Sequence, residues 1–193
     1  MAPRLRLAAV GVFAVSLAIF SLARMRLVSF GAEGPGQARF LTGDEPSYLL
    51  LAHSVAFDRD FNLFNNRTEE HGRFFGVPRC EGHGARKDWE RREIYSIHTP
   101  GLPILIAPVY ALAVRLGVSP RAAVLLFMNL LAALLAVNTW LLCVDLVGGR
   151  ASLDRPGCVP LVPPLLAMAA VVLTPPVIFY ANLIYPELPA ALL

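Results

Sequence analysis

Hydrophobic and polar positions are unevenly distributed along the chain. Three runs, Leu7–Ala23, Ala122–Val144 and Val159–Tyr185, contain no Asp, Glu, Lys or Arg. About 20 apolar residues in a helix cover a ~30 Å hydrocarbon core. The second and third runs meet that length, and the first meets it if Leu5 and the flanking arginines snorkel. The pattern predicts membrane helices over Leu5–Ala23, 120–147 and 159–185, the last kinked or interrupted at Pro163-Pro164 and Pro175-Pro176. A fourth apolar stretch, Gly101–Val114, has 14 residues with Pro103 and Pro108 inside it. It covers only ~21 Å as a helix, so an interfacial or re-entrant segment is expected over 99–117. The arginines at the span ends do not arbitrate, because either topology leaves four on each side.

One polar stretch, residues 31–98, interrupts this pattern. A short basic N-terminus followed by a single span places it on the non-cytoplasmic side. Within it Asp44 is suited to cap a helix and Pro46 to its first turn, where a missing N–H costs nothing. That predicts a juxtamembrane helix over 44–57, ended by the turn-forming run Asp58–Asn66. From Arg67 to Glu93 the chain is charged, Gly-punctuated and without clear period, which reads as an irregular loop. The organisation is thus a membrane anchor over 1–30, an extracytoplasmic loop over 31–98, and membrane helices over 99–193. The N-terminal run also has features of a signal peptide, with Ser21-Leu22-Ala23 as a cleavage site. Its length and the spans that follow favour an uncleaved anchor.

Composition and charge sharpen the class. Of 193 residues 56% are hydrophobic and 16% charged, where soluble domains sit near a quarter charged. The net charge of +3 divides into nine basic against eleven acidic residues in 31–98, and eight arginines against three acids elsewhere. This is the dressing of membrane-helix ends, and no nucleic-acid partner is expected. Sixteen of the seventeen basic residues are Arg, the usage of a GC-rich bacterial genome. Cys80, Cys143 and Cys158 are scattered and imply no disulfide framework. Cys80-x-x-His83 with His71 is a fragment of a zinc pattern that lacks a second ligand pair.

The residues with most chemical potential are Asp44 and Glu45. Two adjacent carboxylates at a helix start are held ionised by the helix N-terminus, as a metal ligand or a general base requires. An ordinary acidic first turn has the same composition. Arg86, Lys87, Arg91 and Arg92 are cations able to meet a phosphate, although Asp88, Glu90 and Glu93 are interleaved as in a self-compensated surface loop. Glu187 follows a span, as a site residue or an interfacial helix-end carboxylate. His53 lies two turns from Glu45 on one face. Asn129 and Asn138 fall on opposite helix faces, whereas Asn138 and Asp145 share one and suit helix packing.

The order of these elements resembles the C-type integral-membrane glycosyltransferases, in particular the bacterial protein O-mannosyltransferase and aminoarabinose transferase-like proteins. Thr42-Gly43-Asp44-Glu45-Pro46-x-Tyr48 matches their Asp-Glu motif, and His98-Thr99-Pro100-Gly101-Leu102-Pro103 resembles the segment opening a second juxtamembrane helix. The resemblance covers residues 5–190. It departs from the family in a longer, more charged loop at Arg67–Arg92 and in the absence of a C-terminal half, so a truncated gene or fragment is expected. It implies an all-α membrane protein of three to four transmembrane helices with a partial GT-C fold. It further implies a multi-pass protein of the bacterial inner (plasma) membrane that moves a sugar from a polyprenyl-phosphate donor to an acceptor on the outer face. By the same resemblance Asp44 and Glu45 are catalytic, while Tyr48, His98, Arg91, Arg92 and Glu187 bind substrate. The cofactor is not read from these residues, and the resemblance allows a divalent metal ion. The partners expected are the lipid-linked sugar and membrane lipid.

Two other classes remain open. A non-catalytic polytopic membrane protein or degenerate fragment would share this composition. A transporter component is disfavoured, because ionisable residues avoid the long spans instead of marking the bilayer midplane.

Overall fold

The computed structural model describes residues 3–30, 43–80, 86–148 and 162–193. Thr42, His83, Cys158 and all but the first residue of the polar loop 148–157 lie outside them. The described chain is mostly helical, and two helices are long and apolar enough to cross a membrane. It divides into two units, one of residues 1–26, 128–182 and 187–193, the other of 27–127 and 183–186.

The first unit is built from helices. α1 runs Pro3–Phe30 and α5 runs Pro120–Gly148, with apolar spans at Pro3–Ala23 and Pro120–Val147. α6 (Val162–Val172) and α7 (Pro175–Ala181) bend by 68° at their junction. The bend follows from Pro175, whose ring forces the preceding Thr174 to extended geometry, with ψ 154°. Pro163 and Pro164 sit in the first turn of α6, where a missing N–H costs no backbone bond, and the chain before Val162 lies outside the described residues. The helical run also ends at Ala181, short of Tyr185, and α8 spans Glu187–Leu192. Ala132, Ala133 and Ala136 of α5 are fully buried, small side chains that allow close helix approach. Buried Asn129 donates from Nδ2 to the Ala181 carbonyl, one of the orphan acceptors at the end of α7, and Ser21 Oγ lies 3.5 Å from its Oδ1. Asn138 is exposed, so the packing role expected for it is not observed.

The second unit centres on α2 (Glu45–His53), which continues without a break through one wide turn, Ser54–Asp58. Leu49–Ala52 are all buried, as in a helix covered on every side. α4 (Gly101–Arg115) packs Leu102, Ile106, Tyr110 and Ala113 inward. The loop beyond Arg67 is more ordered than its sequence suggested. α3 (Phe64–Thr68) and a tight helical turn at His71–Phe75 precede an antiparallel hairpin of β1 (Arg86–Asp88) and β2 (Glu93–Tyr95). Asn62 organises it: Oδ1 accepts from the Phe64 and Ile94 N–H groups, and Nδ2 donates to the Arg92 carbonyl. Strands of three residues are too short for an alternating pattern to be visible, which is why sequence periodicity missed them.

Candidate functional site

Asp44 precedes the first turn of α2, and its backbone carbonyl accepts the Ser47 and Tyr48 N–H groups at 3.0 and 3.1 Å. Its carboxylate does not cap the helix, as the sequence suggested it would. It turns instead toward His98, with Oδ1 3.5 Å from Nε2. The Asp44 side chain keeps 37% of its surface exposed and His98 keeps 12%. Tyr48, one turn into α2, is buried and sets its ring 5.1 Å from the imidazole, so the face of His98 is fixed by an aromatic neighbour.

Glu45 faces the opposite way and is completely buried. Both its oxygens are engaged: Oε2 accepts from Arg121 Nη2 at 3.0 Å, and Oε1 accepts the Ile184 N–H at 3.0 Å. A buried carboxylate is tolerated only with such partners. Here they come from the start of α5 and from the segment 183–186. Tyr185 in that segment accepts the Asp44 N–H at 3.2 Å and packs edge-on against Tyr48, with centroids 6.1 Å apart. Gly43 has φ +52°, and a Cβ there would collide with the Tyr185 hydroxyl. The residue before Asp44 in this motif is thus required to be Gly both by backbone and by space.

The structure therefore brings together Asp44, Glu45, Tyr48 and His98, and separates their roles. Asp44 is the accessible carboxylate, and Glu45 ties three chain segments under it. Arg91 and Arg92 are not part of the cluster. They sit exposed on the hairpin turn, Arg91 3.7 Å from Asp88 and Arg92 in left-handed geometry. Lys87 is exposed on the same hairpin. Glu187 is exposed at the first turn of α8, in the other unit. Sequence reasoning missed Arg121, counted only as a span-end charge, and Tyr185, two residues from the acid it favoured. A lone Arg beside a helix start and a Tyr before a Pro have no local pattern that reveals a partner 76 or 141 residues away.

A divalent ion needs several oxygen donors. Glu45 is spent on Arg121 and Ile184, which leaves one carboxylate and one imidazole. No group of three His, Cys, Asp or Glu gathers among the described residues. The described residues do not gather a protein-built metal site. Burial raises the pKa of the Cys80 thiol, away from the thiolate that a metal requires.

A second polar cluster lies behind α2. Buried His53 shares a 3.3 Å hydrogen bond between Nδ1 and the Tyr110 hydroxyl, and its ring lies 4.5 Å from that of His71 and 5.2 Å from Phe74. His71 Nδ1 is 3.2 Å from Asn66 Nδ2, which also donates to Asp58 at 2.6 Å. Burial, then the neighbouring His71 and Arg73, lower the His53 pKa to about 4 against the opposing pull of Asp58. His53 is a core residue that fastens the 58–75 segment. No family model, curated protein or solved structure matches the chain.

Proposed function

We propose that this chain carries the acceptor-activating part of a C-type membrane glycosyltransferase, which uses a polyprenyl-phosphate sugar at the outer face of a bacterial plasma membrane. The observation that carries this reading is the Asp44–His98 pair, 3.5 Å apart and partly open to solvent. A base must be accessible to the group it deprotonates and held in place by its neighbours. Asp44 meets the first condition and Glu45 does not. The attacking hydroxyl or amine of the acceptor gives its proton to Asp44 as its oxygen or nitrogen bonds the anomeric carbon. The bond from that carbon to the phosphate oxygen breaks, and its electron pair leaves with the lipid phosphate. His98 orients the Asp44 carboxylate, and Tyr48 orients His98.

The chain path supports a membrane layout of three crossings. His98 lies just before α4 and reaches Asp44, while Arg121 lies just after it and reaches Glu45. A helix of 15 residues whose two flanks return to one residue pair lies along a membrane surface, and at ~22 Å it is too short to cross. The chain leaves this unit at Phe127 and is back at Leu183. If α5 crosses, α6 and α7 together supply the return crossing.

The test is transfer from radiolabelled polyprenyl-phosphate mannose or aminoarabinose in membranes containing the complete enzyme, with this segment joined to a C-terminal half. Asp44→Asn should lower the rate by about 10²–10⁴. Substitutions at Arg91 and Arg92 should leave it within twofold. Wild-type transfer by Asp44→Asn would remove the proposal.

A further inference from the structure

Asp44 occupies the N-cap position of α2, where an Asp carboxylate ordinarily accepts an N–H of the first turn. Here it does not. Its backbone has φ −91° and ψ −4°, helical geometry in place of the extended geometry that a capping residue adopts. Two local features weaken a cap. Pro46 has no N–H to offer, and the Ser47 N–H is already taken by the Asp44 backbone carbonyl at 3.0 Å. A third feature comes from far along the chain, where the Tyr185 hydroxyl accepts the Asp44 N–H at 3.2 Å. The place of that hydroxyl is well determined. The Tyr185 ring packs edge-on against buried Tyr48, and the neighbouring Ile184 N–H is bonded to buried Glu45. Gly43 approaches the hydroxyl so closely that no Cβ would fit between them.

We infer that Tyr185 is a positioning residue, which keeps the Asp44 carboxylate out of the helix cap and available to the acceptor. The inference rests on the reading of Asp44 as the base. With α2 held in place, Asp44 reaches capping geometry by rotating about its Cα–C bond, from a ψ of −4° into the extended range. The Asp44 N–H and Cβ lie on the same side of that bond, so they swing together. The rotation breaks the bond to Tyr185 and turns the carboxylate from His98 toward the Ser47 N–H. The two arrangements therefore exclude each other. One has the Tyr185 bond and a carboxylate oxygen 3.5 Å from His98, as observed, and the other has a cap. A side-chain cap and a neutral hydrogen bond are of comparable strength, so one hydroxyl is enough to decide between them. A capped carboxylate has an oxygen committed to the backbone, and it is withdrawn from the proton it must accept.

Tyr185→Phe removes the hydroxyl and keeps the ring. Tyr110→Phe breaks a hydrogen bond of the same kind to His53, away from Asp44, and controls for lost stability. In the detergent-solubilised chain, Asp44 is coupled to glycine ethyl ester by a water-soluble carbodiimide and the product is read by peptide mass spectrometry. Coupling should fall several-fold in Tyr185→Phe and stay at the wild-type level in Tyr110→Phe. Unchanged coupling in Tyr185→Phe, or an equal change in both variants, overturns the inference. In the complete enzyme, kcat should fall about fivefold in Tyr185→Phe with KM unchanged, the population shift that one neutral hydrogen bond controls. Tyr185→Phe should add nothing to Asp44→Asn, because it acts through that carboxylate. Wild-type kcat in Tyr185→Phe beside a slowed Asp44→Asn overturns the inference alone. Wild-type transfer by Asp44→Asn instead removes the reading of Asp44 as the base, and the coupling result still decides whether Tyr185 governs its carboxylate.

Discussion

Glu45 and Arg121, 76 positions apart in the chain, form a buried carboxylate–guanidinium contact at 3.0 Å directly behind the accessible Asp44. Glu45 is wholly buried and the Arg121 side chain is 20% exposed, so the two partners are not equivalent. Removing one member of a buried pair leaves the other charged and unmatched. Arg121→Met strands the fully buried carboxylate and should cost about 3 kcal/mol or more. Glu45→Gln leaves the partly solvated guanidinium and should cost less. Thermal unfolding in detergent checks the order of the two, and the double variant should lose less than their sum.

Tyr185 makes a neutral hydrogen bond to the Asp44 N–H. Tyr185→Phe should therefore lower stability by only about 1 kcal/mol. Gly43→Ala adds a Cβ where φ is +52° and the Tyr185 hydroxyl already stands. It should destabilise more than Tyr185→Phe, and combining the two should recover the steric part alone. Denaturant midpoints of the three variants measure this.

His53 supplies a pH dependence. Its pKa falls from 6.5 to about 4 in the folded chain, so below pH 6.5 the unfolded chain binds the extra proton. The stability linked to neutral His53 is complete above pH 6.5 and is lost as pH falls through about 4. The full loss is of order 3 kcal/mol. The melting temperature should drop between pH 7 and pH 4, and less so in His53→Leu. His71, Arg73, Asp58 and Tyr110 face the ring, so His71→Gln should move the His53 transition upward.

Topology provides the fourth expectation. In the proposed layout Trp89 on the hairpin and Val118 after α4 share one side of the membrane, while Val147 lies on the other. All three are exposed. Single cysteines at Trp89 and Val118 should react with an impermeant thiol reagent in intact cells, in a background without the native cysteines. A cysteine at Val147 should react only after lysis. Labelling of Val118 only after lysis would mean that α4 crosses.

The apolar runs by themselves determined the helices. Fourteen or more residues without charge form a helix wherever they are buried or in lipid, and the 120–147 span coincides with its sequence reading to the residue. Pro46 likewise marked a helix start, because proline chemistry acts within one turn, although the Asp44 carboxylate does not supply the expected cap. What sequence could not decide was which carboxylate remains accessible. That depends on Arg121, Ile184 and Tyr185, residues brought to Glu45 and Asp44 by closure of long chain segments. The hairpin at 86–95 and the coupling of His53 to Tyr110 were equally invisible. Local propensity is carried by neighbours in sequence, whereas pairing of a buried charge is decided by whichever distant group the packed fold delivers within 3 Å of it.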